Sequence, residues 1–318
     1  AVIWTEAIQG FILIGGAVVC LCVLMFKMSE GPAQVFQIAI TDQKFSLGSF
    51  GSSLTESTFW VCLIYGIFIN LQNYGIDQNY VQRYLTAKSD KQAKFSALFG
   101  GYLFIPVSAV FFMIGTALYT YYKTFPELLP AGVEGDAVFS YFIVHALPTG
   151  LTGLLIASIF AAGMSTVATS ITSSATIILT DYYARYINKK PTEKQSVRAL
   201  YVSNVLIGII GIFVALAFLN VESALDAWWA LSSIFSGGML GLFLLGYISK
   251  KARNVDAVLG VICGIIVVVW MSLSPIFFKD GFMSEYTSPF HANLTIVFGT
   301  IVIFLAGFLS MRLLKTKK

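Results

Sequence analysis

The sequence has little charge. Asp, Glu, Lys and Arg make up 11% of its 318 residues, against about 25% in a typical soluble domain. Apolar residues supply 57%, and the mean hydropathy is +0.80. A soluble globular domain is excluded, and the net charge of +4 calls for a topological reading rather than a nucleic-acid one. Histidine is scarce: His145 and His291 lie far apart, so a zinc site or a histidine-based triad lacks its raw material. The four cysteines, Cys20, Cys22, Cys62 and Cys263, lie in apolar runs without a CxxC spacing, which disfavours a disulfide framework and a metal centre. With no Ser/His/Asp set in the apolar segments, an enzyme is disfavoured, and no resident cofactor is implied. An initiating Met and a basic leader are also missing. The chain opens AVIWTEAIQG and reads as a single membrane domain, residues 1–318, truncated at its N-terminal side.

What the sequence has in abundance is long apolar runs. A spanning helix needs about 20 mostly apolar residues. Eight segments qualify: 3–27, 57–82, 95–122, 150–180, 199–219, 226–249, 255–278 and 293–314. The basic residues between them are sorted by side. Loops 83–94, 185–198 and 250–253 and the C-terminal tail hold 16 of the 20 Lys and Arg. The other side has Lys27, Lys44, Lys123 and Lys279. The positive-inside bias predicts a multi-pass protein of the cell inner membrane, with its first span running outward and its C-terminus cytoplasmic. Two outer connections, 28–56 and 123–149, are long enough for short helices of their own.

Four features could carry chemistry. The first is FAAGMSTVATSITSSATIILTD, residues 160–181, with nine Ser or Thr among 22 residues. Residues three and four apart share a helix face, so Ser165, Thr169, Thr172 or Ser173, Thr176 and Thr180 line one stripe. Such hydroxyls either pack helices and bond back to their own backbone or line a cation path. Both readings stand at this point. The second is NLQNYGIDQNYVQRYLTAKS, residues 70–89, which sets Asn70, Gln72, Asn73 and Asp77 in an apolar span. Lipid does not tolerate these side chains unless they face protein or water, and a helix break near Tyr74–Gly75 would free backbone groups for a solute. The third is Glu6 beside Trp4, either an interfacial residue or a cation-binding carboxylate. The fourth is LSSIFSGGMLGLF in 226–249, whose paired glycines suggest a bend or close packing.

Together these motifs resemble the solute:sodium symporter family, which holds the sodium/sugar, sialic acid, proline, pantothenate and iodide cotransporters. AVIWTEAIQG is similar to its W-T-D-x-x-Q helix start. DQNYVQRYLTAKS is similar to its N-Q-x-x-V-Q-R signature, and AAGMSTVATSITSSATIILTDYY to its hydroxyl helix. GGMLGLFLLGYISKKARN resembles the end of its tenth core helix. The resemblance implies an all-α integral membrane protein of LeuT-like, inverted-repeat fold. This chain would supply core helices 5 to 10 and two trailing helices, and the fold would be incomplete.

The same resemblance implies sodium-coupled symport of a small organic solute by alternating access, with the bilayer, the solute and Na+ as partners. The conserved sodium would take the carbonyl of Ala162 and the hydroxyls of Ser165 and Thr166. A second sodium, present in some members, would use Glu6 and Thr169. Here Glu replaces the family's Asp, and Ala168 stands where two-sodium members can have Ser. Asn70 matches the sugar-contacting Asn of the sugar branch, Asn73 falls at its gating-aromatic position, and Tyr74 is the neighbour that could replace that aromatic. Phe104 replaces a polar residue of that branch, which points away from glucose or galactose. YYKTFPELLPAG and ALPTGLTGLLIASIFAAG resemble bacterial sialic acid transporters, making sialic acid or another carbohydrate-like solute the leading expectation. The alternatives are a symporter-like sensory domain and symport of a non-sugar solute such as proline or pantothenate.

Overall fold

The computed structural model describes residues 2–135, 137–217, 232, 237–277 and 284–313, with the side chains of 2–6, 276 and 277 set aside. Its helices in chain order are α1 (Val2–Phe26), α2 (Pro32–Thr41), α3 (Phe59–Ile76), α4 (Gln78–Leu85) and α5 (Asp90–Thr124). They continue as α6 (Ala137–Ala146), α7 (Thr149–Ile177), a π-helix (Ile178–Ile187), α8 (Glu193–Ala217), α9 (Met239–Ile248), α10 (Asn254–Phe277) and α11 (Thr295–Leu313). No strand occurs among the described residues. Seven helical stretches there are long and apolar enough to cross a membrane, and each falls on an expected span. The remaining expectation, 226–249, is described at 232 and 237–249, where the paired Gly237 and Gly238 form a turn ahead of α9; the rest of it lies outside the described residues. The third span begins five residues earlier than expected, at Asp90, where Ser89 caps the helix by accepting from Gln92 N. The two long outer connections each carry a short helix, α2 and α6.

The chain folds as two compact units. The first comprises residues 1–46 and 87–222. Its core is formed by α1, α2, α5, α6 and the start of α7, with Leu24, Val35, Ala117 and Phe142 fully buried. Polar contacts tie its outer end together. Lys27 donates to the Ala146 carbonyl at 2.6 Å, placing a cation at the C-terminus of α6, where the helix dipole favours it. His145 lies in the last turn of α6. Lys123 pairs with Asp42 at 2.5 Å, and Tyr119 Oη donates to the same carboxylate at 3.1 Å. The Lys123 hydrogen bond holds the Asp42 carboxyl below its usual range.

The second unit comprises residues 47–86 and 223–318. Its described part packs α3, α9, α10 and α11. These helices approach backbone to backbone: a Cβ placed on Gly241 of α9 would stand 2.3 Å from the Thr300 carbonyl oxygen of α11. Where lipid offers no hydrophobic drive between helices, small residues at such crossings let dispersion contacts hold them together. At one end of this unit Asp256, fully buried, accepts from Arg253 Nε and Nη2 at 3.0 Å each and from Ser310 Oγ at 2.7 Å. That carboxylate joins the start of α10 to the end of α11.

Candidate functional site

In the first unit, α7 carries the hydroxyl run. Its threonines bond back to their own helix. Thr166 Oγ1 donates to Ala162 O at 2.9 Å, Thr169 to Ser165 O at 3.0 Å, and Thr172 to Ala168 O at 2.8 Å. Thr176 and Thr180 continue the ladder. A threonine hydroxyl reaches the carbonyl four residues back because both sit on one face. The local chemistry therefore matches the packing reading. It does not exclude the ion reading, since the same bonds gather hydroxyl and carbonyl oxygens at one level. Ala162, Ser165 and Thr169 are half-buried on a stripe bounded by the buried Ser158 and Ser173, while Thr166 is exposed.

The ladder ends in the π-helix. Asn188 N bonds to Tyr183 O at 2.8 Å, the five-residue step that widens a helical turn. Nothing in the composition of ILTDYYARYI announced it.

The other end of α7 sets the register of α1. Gly16 meets Leu155: an added Cβ would fall 2.0 Å from the Leu155 side chain, so any larger residue there would have to displace it. Lys27, just past α1, reaches Ala146, just ahead of α7. The two helices therefore run antiparallel. Ten residues back from Gly16 is Glu6, and ten residues on from Leu155 is Ser165. Each step covers about 15 Å of helix, so equal lengths of the two helices lead from the Gly16–Leu155 contact to Glu6 and to Ser165. The Glu6 side chain is outside the described residues.

In the second unit the polar span does break, but at Asp77 rather than near Tyr74–Gly75. Asp77 leaves the helical region (φ −69°, ψ 128°), and its carboxylate accepts from Asn79 N at 2.7 Å, capping α4. Gly75 stays inside α3. The break is thus made by an aspartate cap, not by glycine freedom. Asn70, Asn73, Tyr74 and Asp77 share one helix face. Asn70 is exposed, its amide donating to Gly66 O at 2.7 Å; Asn73 and Tyr74 are half-buried. The Tyr74 ring lies 5.0 Å from Tyr80, which bridges the break. Gln72 points the other way and is 4% exposed. It belongs to the packing of this unit, which separates it from the polar residues around it in sequence. The Asp256 cluster was missed by sequence reasoning. Its only local signal is an Asp three residues after Arg253 at a helix start, because Ser310 lies 54 residues away.

Comparison with known proteins identifies the family. Residues 1–264 match the Sodium:solute symporter family. The sodium/sialic acid symporter SiaT of Proteus mirabilis is 36% identical over 274 residues, covering 84% of this chain and 55% of that protein. The sodium/sialic acid symporter NanT of Aliivibrio fischeri is 31% identical over 318 residues, covering 99% of this chain and 60% of that protein. The chain thus spans little more than half the length of these relatives. A solved structure of a Na+-coupled sialic acid symporter, in a substrate-bound outward-open state, is 31% identical and superposes with a TM-score of 0.83. It is matched by all of this chain and over 63% of its own. The architecture is all-helical, membrane-type and LeuT-like. With the hydroxyl helix, the broken polar helix and these likenesses in hand, the chain belongs to the sodium:solute symporter family.

Proposed function

We propose that this chain works in sodium-coupled symport of a carbohydrate-like carboxylate, with sialic acid as the leading solute. The observation that carries the reading is the oxygen ladder of α7, where Ala162 O and Thr166 Oγ1 sit 2.9 Å apart. Sodium is a hard cation that prefers oxygen ligands. A hydroxyl oxygen keeps lone pairs after donating its proton, so Thr166 can turn from the Ala162 carbonyl toward an ion and leave both oxygens on it. Ser165, on the same turn, supplies the third ligand.

Glu6 and Thr169 form the second sodium set. The equal helix lengths that lead from the Gly16–Leu155 contact to Glu6 and to Ser165 support it, and Thr169 lies one turn further along α7. The extra methylene of Glu against Asp lengthens the arm. The solute set is Asn70, Asn73 and Tyr74, on one shared face of the broken helix. Two amides offer donors and acceptors to hydroxyl-rich solutes, and a tyrosine ring offers a stacking face.

The ion and solute are linked thermodynamically. If sodium raises solute affinity by some factor, solute raises sodium affinity by the same factor. The remaining parts of the reading are a single membrane domain, basic loops and C-terminus on the cytoplasmic side of the inner membrane, no resident cofactor and no enzymatic reaction. The sorting of 16 basic residues against 4 supports the orientation. The test is sialic acid binding by the protein that carries this chain, titrated with and without sodium. Binding that tightens with sodium supports the reading; binding indifferent to sodium overturns it.

A further inference from the structure

Among the described residues, one end of the second unit gathers positive charge without matching negative charge. Lys250 and Lys251 lie in the loop joining α9 to α10, and Arg312 lies at the end of α11. The Asp256–Ser310 bond and the seating of Leu245 against Gly307 bring those three helix ends together. The buried carboxylate there, Asp256, is taken up by Arg253 and Ser310. Among the described residues, Lys250, Lys251 and Arg312 have no carboxylate partner. All three are exposed. Arg312 lies over the Phe308 ring at 4.6 Å, which preorients a planar donor. Tyr247 and Leu313, 84% and 80% exposed, flank the cations with an aromatic and an apolar side chain of the kind found at a bilayer interface.

A second feature lies on the same helix pair. Between α9 and α10 runs an apolar groove of about 360 Å³, lined by residues including Leu242, Val261, Ile265 and Val269. Leu242 is eight residues before Lys250, about 12 Å along the helix, and Val261 is a similar distance into α10. The groove therefore begins roughly half an acyl chain's length from the basic loop and continues away from it. A cationic cluster at the helix ends and an apolar channel between the helices that lead to it match the two halves of one amphiphile.

We propose that Lys250, Lys251 and Arg312 hold the headgroup of an anionic phospholipid, and that one of its acyl chains lies in the α9–α10 groove. Basic residues near a membrane surface each contribute about fivefold in affinity for acidic lipid. The site rests on the membrane reading above and is independent of sodium coupling.

The experiment is lipid retention by the protein that carries this chain. The purified protein is equilibrated with equal amounts of phosphatidylglycerol and phosphatidylcholine, and retained lipid is counted by native mass spectrometry. Because both lipids are offered from every side, orientation does not enter. The expected result is a preference of tenfold or more for phosphatidylglycerol, lost in Lys250→Gln/Lys251→Gln/Arg312→Gln. It should be kept in Lys189→Gln/Lys190→Gln/Lys194→Gln, which removes as much charge from another loop, and only partly regained, by about fivefold, where Arg312→Lys replaces Arg312→Gln. Equal retention of both lipids would overturn the proposal. So would a loss of preference of the same size in the two triple variants, which would reduce it to general charge. Displacement of the bound lipid by millimolar glycerol phosphate as readily as by phosphatidylglycerol would overturn the acyl-chain half. Sodium-driven uptake is measured separately, so a failed lipid site leaves the transport reading intact.

Discussion

Thr166 is the residue where packing and ion binding meet. Its hydroxyl is held against Ala162 O at 2.9 Å, so removing it costs the helix little but removes one oxygen from the proposed ion. Thr166→Ala should raise the sodium concentration for half-maximal solute binding about tenfold, the equivalent of ~1.4 kcal/mol. Thr166→Ser should stay close to the parent. An unchanged sodium titration in the alanine variant would remove this hydroxyl from the site. Asn70 is expected to separate the two ligands. Its amide already has an internal partner in Gly66 O, so Asn70→Ala leaves no buried group orphaned. It should weaken solute binding severalfold while sodium binding measured without solute stays within twofold. Equal losses of both would assign Asn70 to structure.

At the scale of elements, the second unit depends on close helix crossings. Gly241 has the Thr300 backbone where a Cβ would go, whereas Gly246 has nothing within 4 Å. Gly241→Ala should destabilise by about 1–3 kcal/mol, the usual cost of overpacking, and lower the thermal midpoint in detergent. Gly246→Ala should not lower it. Equal midpoints for the two variants would contradict the crossing.

The elements also show where a sequence is legible. Hydropathy and the positions of lysine and arginine suffice to find spans, because lipid imposes length and polarity on each span separately. The break in the polar helix is visible as a region, but its position is misjudged by two residues. Gly75 looked like the breaker, while the Asp77 carboxylate, by capping Asn79 N, ends α3 and starts α4. The hydroxyl stripe of α7 is legible from its spacing; whether its hydroxyls bond inward needs coordinates. The Asp256–Ser310 tie and the Gly16–Leu155 approach are tertiary facts, and no local pattern encodes them.

At the scale of the whole molecule, the proposed ion ladder and the proposed solute face belong to different compact units. The α7 ladder lies in the first and the broken α3–α4 helix in the second. Symport requires that an ion on one set of helices changes the affinity for a solute on another, and linkage makes that dependence reciprocal. Lipid at the basic end of the second unit would act on a separate surface. The central claim is the coupling itself. It is tested most directly by uptake of sialic acid into proteoliposomes containing the protein that carries this chain, with and without an inward sodium gradient. The account predicts accumulation above the external concentration that collapses when the gradient is dissipated. Sialic acid entry that only equilibrates, at the same rate with and without the gradient, would contradict it.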